Sequence, residues 1–370
     1  MKKLLSAILL MFSASCLAVE LIETPQGILV RSIPSFENGD VGLEGQVGET
    51  VLPVVEKEDS KEVTFTYDDV CNGAFYSIKK GELRTYQPLG HLCRKDKKDL
   101  TFTFISDTQQ NLDELKKGLT LFKTIQIVYP DIRFMVHGGD YAQLSVESEW
   151  KSYREIASSY FSSFIPIIPA NSNHDYIFDS NAYYYKKVYG LESKPKYYYY
   201  VDFGIARIIN LNSNINQLSD EDNRKQTLWI EDRLKESSGK AVIIVFHHAM
   251  HTSGIGKNFP SGSMSGVYKY IQANWLNVFD KYHVKLVLNG HEHLYERSMY
   301  NGTVYLNASA LGGSLSEPKT DNPYQQKIVP DVRTVSLIKV MEDGKINIKT
   351  FGFGKNTRDV FDLLIDEYTY

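Results

Sequence analysis

Between residues 99 and 290, this 370-residue chain repeats one unit: a short apolar run rich in β-formers, a loop, then a stretch of helical period. The runs 101–105, 134–136, 165–168, 241–246 and 285–288 predict strands, and 111–128, 145–164, 220–236 and 267–282 predict helices. In 111–128, Leu112, Leu115, Leu119, Leu121 and Phe122 fall on one side, while Ser145 and Ser148 offer caps for the second helix. Segments 197–202 and 206–211 around Gly204 predict a hairpin, and 335–340 and 345–351 predict another with its turn at Asp343–Gly344. Strands alternating with helices restrict the body to an α/β layered architecture.

Residues 19–98 follow a different rule. Short alternating runs at 27–31, 62–67 and 74–78 are separated by Gly, Pro, Asn and Asp, with no helix-length period. They predict a small all-β domain, with the body occupying 99–370. Residues 1–18 combine Lys2 and Lys3, an apolar run over 4–12 and small residues up to Ala18. That order predicts a signal peptide and an exported protein, periplasmic or secreted; an N-terminal core helix is the plainer alternative. Cys16 would be a lipid-attachment site in a lipoprotein, although Ser13 stands where such signals usually carry Leu. Cys71 and Cys93 remain after processing, and an oxidising compartment favours bridging them over two buried thiols. No stretch reaches the roughly 18 apolar residues needed to cross a bilayer. A net charge of −4 lacks the basic excess of a nucleic-acid binder.

The loops after the strands carry the chemistry. Asp107 follows the first run, Asp140 the second, Asn173, His174 and Asp175 the third, His247 and His248 the fourth, and His291 and His293 the fifth. In α/β sheets, ligands bind at the carboxyl ends of strands. Singly, each residue has an ordinary explanation as a helix cap, a turn or a hydrogen-bonded histidine. Jointly, carboxylate, amide and imidazole at successive strand ends, delivered to one edge, point to a metal cluster suited to Zn, Mn or Fe.

The series Asp107-x-Gln109, Gly139-Asp140, Asn173-His174-Asp175, His247 and Gly290-His291-Glu292-His293 resembles the calcineurin-like metallophosphoesterase superfamily. Its continuation Leu294-Tyr295-Glu296-Arg297 is similar to the purple acid phosphatase branch. The resemblance spans about residues 101–355. It implies a four-layer α/β β-sandwich flanked by helices, preceded by a fibronectin-like β domain. It implies two metal ions, divalent or mixed-valence: Asp107 and His293 on the first, Asp140 shared, and Asn173, His247 and His291 on the second. It further implies that a metal-activated water attacks a phosphate mono- or diester of a small substrate. His174 would help the leaving group depart, and Asp175 would orient His174. Two cations can clamp the attacking and leaving oxygens of such a displacement, and imidazole titrates near neutrality, as proton transfer requires.

This chain departs from the pattern in several places. The purple branch has Tyr three residues after the shared Asp; here the position is Gln143, and Tyr141 is the direct neighbour of Asp140. A colourless site is expected. Gln109 has two readings, an amide ligand to the first metal or an ordinary loop residue. Ser172 replaces the Gly that usually precedes Asn173. His248 is an alternative ligand to His247, and His251 is either a rim contact for phosphate or a loop histidine. Residues 252–266, rich in Gly and Ser, are expected to form a mobile wall of the cleft. Two other classes remain: a non-catalytic binding protein that keeps the fold, and a metal-dependent hydrolase of another bond such as an amide.

Overall fold

A computed structural model of the chain describes residues 19–36, 41–93, 98–191, 197–254, 263–354 and 364–370. The expected signal peptide, Cys16 and most of the glycine-rich wall lie outside the described residues.

Among the described residues, the strands form sheets of ten, seven and four. The ten-stranded sheet has a parallel centre, Leu100–Ile105, Ile132–His137 and Ile167–Pro169. The seven-stranded sheet has another, Ala206–Asn210, Ala241–Val245, Leu286–Asn289 and Thr303–Asn307. Strand pleat explains how the two meet, because alternate side chains point to opposite faces. Ile208, Ile243 and Leu286 join one apolar cluster with Phe102, Phe104 and Phe134 of the other sheet. Ile209, Ile244 and Val287 turn the other way, against Ile230 and Leu234 of the helix Asp220–Lys235 and Ile271, Trp275 and Phe279 of the helix Ser263–Lys281. Phe134 stacks on Phe102 and on Phe203, with centroids 4.9 and 4.5 Å apart, linking the sheets directly.

The helices Leu112–Val128 and Glu147–Ala157 share the inter-sheet cluster through Leu115, Leu119, Phe122, Trp150 and Tyr153. The result is the expected four-layer sandwich. One detail differs from the sequence reading. Ser145 and Ser148 do not cap the second helix, whose N-cap is Val146 without a side-chain bond. Ser145 instead has φ +53° and accepts the Trp150 indole N–H at 3.1 Å.

The change of pattern at residue 98 does not interrupt the large sheet. Val19–Thr24 pairs in parallel with Ile167–Pro169 at Ile22–Ile167, and Gly27–Ser32, Ser60–Phe65 and Val55–Lys57 continue outward from it. The four-stranded sheet, ordered Thr50–Leu52, Val41–Val47, Ala74–Lys80 and Leu83–Pro88, shares an apolar cluster with this extension through Val41, Leu43, Tyr76 and Ile78 against Leu21, Val30 and Phe65. Buried Arg154 donates to Glu20 at 3.0 Å, tying the second helix to the first strand. The N-terminal segment therefore supports the strand that leads to Asn173.

Cys71 and Cys93 form a disulfide across 22 residues of sequence, joining the helical turn Tyr67–Cys71 to the segment after Gly90–Leu92. Chain-entropy reasoning assigns such a loop about 3 kcal/mol. Replacing both cysteines by Ser should lower the unfolding free energy extrapolated from urea titration by an equivalent amount, with a lower midpoint. An unchanged midpoint would mean that packing alone holds this loop.

Candidate metal centre

The two sheets face each other with their parallel strands ending on the same side. Asp107, Asp140 and Asn173 come from the ten-stranded sheet; His247, His291 and His293 come from the seven-stranded one. The site thus lies between the ends of two sheets, not along one edge as the sequence alone suggested. A sequence of strands does not state where one sheet stops and the next begins.

The expected donors converge. Ligand atoms of Asp107, Asp140 and His293 all lie within 4.8 Å of one another, and so do those of Asp140, His247 and His291. Asp140 belongs to both clusters, as a carboxylate shared between two cations must. Asn173 Oδ1 lies 3.0 Å from His291 Nδ1, which is 3.2 Å from His247 Nε2. His293 Nε2 approaches Asp107 Oδ1 at 3.2 Å, and His247 Nε2 approaches Asp140 Oδ1 at 3.3 Å.

Main-chain strain sets these directions. Asp107, Asp140, His291 and His293 all have positive φ: +54°, +58°, +72° and +55°. The left-handed region costs a non-glycine residue roughly 1–3 kcal/mol and gathers at functional sites. The neighbouring glycines make room. At Gly139, φ is +103°, and a Cβ would lie 2.9 Å from His247 Nδ1; at Gly290 it would lie 2.6 Å from Asp107 Oδ2. Gly139-Asp140 and Gly290-His291 therefore work as pairs, glycine yielding space and its successor turning inward.

Backbone carbonyls fix the imidazoles. Gly138 O lies 2.8 Å from His247 Nδ1, and Ser314 O lies 2.5 Å from His293 Nδ1. Each places the ring hydrogen on Nδ1 and leaves the Nε2 lone pair facing the cluster, an arrangement that orients metal-binding histidines. Gln109 Nε2 stands 3.1 Å from Asp140 Oδ2 and 3.2 Å from His293 Nε2, while its Oε1 is buried without a partner. Amide orientation is an assignment of network, not of shape. Turning the amide would direct its oxygen at the first cluster. The donor set therefore fits two cations.

Charge coupling is strong. Burial alone would raise the Asp140 carboxyl, but His247, His174 and His291 outweigh it and hold it well below the usual carboxylate range. Burial opposes Asp107 in the same way, and His293 draws it down. Burial pushes His247 down, yet Asp140 and Asp107 lift it to about 9. Burial and its neighbour His247 push His291 down to about 3. Asp107 lifts His293 against its burial.

His174 sits at the mouth. Its Nε2 is 3.8 Å from Asp140 Oδ2, and its Nδ1 is 2.6 Å from Gln143 O. Asp175 does not orient it. Asp175 Oδ2 accepts from Asn171 Nδ2, Ser172 N and Ser172 Oγ at 3.0, 2.7 and 3.0 Å. Ser172 Oγ in turn accepts the Asp140 N–H at 2.8 Å. Asp175 thus braces the shared carboxylate's backbone, through a hydroxyl that glycine at 172 would lack. Burial raises its carboxyl to about 8.

The remaining candidates fall outside both clusters. His248 lies behind His291, ring centroids 4.6 Å apart, with Nδ1 2.8 Å from Ser213 Oγ. His251 packs among Tyr300, Tyr305 and Tyr324 instead of on the rim. Tyr141 turns into the core, stacked on His137 at 4.1 Å, its hydroxyl donating to Ala170 O at 3.0 Å. Glu296 accepts from Ser253 and Asn322, and Arg297 pairs with Asp366, so both brace the last loop.

The calcineurin-like phosphoesterase family model matches residues 100–295. No curated protein sequence matches the chain. Among solved structures, the purple acid phosphatase PPD1 from yellow lupin (Lupinus luteus) is similar at TM-score 0.72 and 14% identity, over 95% of this chain and 73% of that one. GAP50, the anchor in the inner membrane complex of Plasmodium, is similar at TM-score 0.55 and 17% identity, over 74% and 88%.

Imidazoles must be neutral to bind a cation, so metal uptake at pH 7 should release protons, His247 foremost. Affinity should fall as pH drops below about 9, the value to which His247 is raised. Calorimetry of metal addition in buffers of different ionisation enthalpy measures the release; identical heats in all buffers would contradict it.

Proposed function

This chain belongs to the calcineurin-like phosphoesterase family, and on that premise we propose that it hydrolyses phosphate mono- or diesters of small substrates at the paired clusters joined by Asp140. The observation that carries the reading is that one buried carboxylate is common to both donor groups.

Asp107, His293 and Gln109 would hold one cation, Asn173, His247 and His291 the other, and Asp140 both. Such a pair supplies Lewis-acid stabilisation of the phosphoryl oxygens and lowers the pKa of a water nucleophile. The protein's own part is orientation and proton transfer. Gly138 O and Ser314 O keep the two imidazoles aimed. The Gln143 carbonyl holds the Nδ1 hydrogen of His174, so the proton for the leaving oxygen belongs on Nε2, the atom turned toward Asp140. Half-buried at the mouth, His174 can meet a substrate oxygen. Asp175 acts through Ser172 to fix Asp140.

Gln143 occupies the position of the purple branch's tyrosine, and Tyr141 is committed to the core. The metals are therefore proposed to be Zn, Mn or ferrous iron, without a violet absorption band. The fold also occurs in a protein described as an anchor; the complete donor set here favours hydrolysis. Among the described residues no helix is long and apolar enough to cross a membrane. Export to the periplasm or beyond is proposed from the N-terminal sequence.

The test is turnover of nitrophenyl phosphate and bis-nitrophenyl phosphate after chelation and metal add-back; no turnover with any metal would end the proposal. Asp140→Ala should remove both metals by elemental analysis. His174→Asn should keep the metals and slow esters of poor leaving groups by roughly 10²–10⁴-fold, with much less effect on nitrophenyl esters. Equal losses would argue against proton donation.

A further inference from the structure

The segment Gly312-Gly313-Ser314 runs between the two donors of the first cluster. The N–H groups of Gly312 and Gly313 both donate to Asp107 O, at 2.9 and 3.0 Å, and the Asn111 N–H donates to Gly312 O at 3.2 Å. A Cβ at Gly312 would stand 2.3 Å from Thr108 O, and one at Gly313 would stand 2.7 Å from His293 Cε1. Neither position has room for a side chain. The segment therefore lies at backbone distance from the turn that carries Asp107 on one side and from the His293 ring on the other. Its last residue, Ser314, supplies the carbonyl that meets His293 Nδ1 at 2.5 Å.

A single side chain holds Ser314. Gln110 Oε1 accepts the Ser314 N–H at 2.7 Å and the Ser314 hydroxyl at 2.8 Å. Gln110 itself has φ +74°, which a non-glycine residue keeps only where its surroundings fix it. Arg333 holds the other end of the segment, donating to Ala310 O at 3.2 Å and Gly313 O at 2.7 Å while it pairs with Glu114 at 3.0 Å. The second cluster is built differently. The His247 side chain is fully buried, and the carbonyl that aims it belongs to Gly138, whose N–H donates to Ile105 O at the end of a sheet strand. The His293 side chain keeps 15% exposure, and its carbonyl comes from an exposed loop residue. Strand pairing aims one imidazole; a side chain from outside the cluster secures the aim of the other.

We propose that Gln110 is a positioning residue for the first metal, acting through Ser314 to hold His293 in line, with no such part in the second cluster. The inference rests on the paired-metal reading above and concerns the chain's own residues around it. Partners that orient a metal-binding histidine are worth about 10–100-fold in metal affinity. Gln110 stands one contact further out, so its share is roughly five- to tenfold.

Zinc titration of the metal-stripped full chain, followed by calorimetry, should resolve two binding events, and His293→Ala identifies the one that belongs to the first cluster. Gln110→Leu should weaken that event by roughly five- to tenfold and leave the other within about twofold. Gln110→Glu keeps an acceptor for the Ser314 N–H and hydroxyl, so it should restore the first event. An unchanged first event, equal weakening of both, or no rescue by Gln110→Glu overturns the assignment. Turnover does not enter this readout. A chain that binds zinc in two events but hydrolyses no ester defeats the phosphoesterase reading alone. If zinc does not bind, nitrogen-15 spectra of the histidine rings in the metal-free chain decide instead. The Nδ1 hydrogen of His293 should then exchange with solvent several-fold faster in Gln110→Leu than in the parent chain, and equal exchange refutes the positioning role.

Discussion

The centre depends on one buried carboxylate. Asp140 is common to both donor clusters and stands within reach of His247, His174 and Gln109. Removing such a charge from water is expensive unless opposite charge and hydrogen bonds surround it. Here the surrounding imidazoles hold it ionised, and its backbone is held as well, with N–H to Ser172 and carbonyl to Thr108 and Gln109. A position fixed from so many sides can sustain a left-handed backbone that an isolated residue would abandon.

The same logic extends outward in layers. The donors are aimed by carbonyls of Gly138, Gln143 and Ser314, and Asp175 aims Ser172, which aims Asp140. Behind these lies the stacked Phe102–Phe134–Phe203 contact between the two sheets. Dense packing of this kind transmits strain instead of absorbing it, so four left-handed residues can coexist in one site. The Arg154–Glu20 pair and the paired strand Val19–Thr24 stiffen the third ligand strand from its far side.

Substitutions at the centre have compensating structure around them. Ser172, in place of glycine, keeps an ordinary backbone and uses its hydroxyl as a relay. Gln143, where the purple branch carries tyrosine, contributes its carbonyl to His174 and lines a cavity together with Glu149.

The sequence by itself determined the donor types, their order, and their placement after apolar runs. These are local properties: a strand pattern and the turn that follows it are written in consecutive residues. It also marked Cys71 and Cys93 as the pair to join. Only the tertiary structure decided that the donors come from two sheets, that Val19–Thr24, Gly27–Ser32, Val55–Lys57 and Ser60–Phe65 extend one of them, and that His247, not His248, faces the clusters. It also moved Asp175 from His174 to Ser172, and it set His251, left open by the sequence, among a group of tyrosines. Those outcomes depend on sheet membership, on φ and on carbonyl groups that every residue carries alike. Side-chain identity does not encode which carbonyl meets which imidazole; packing does.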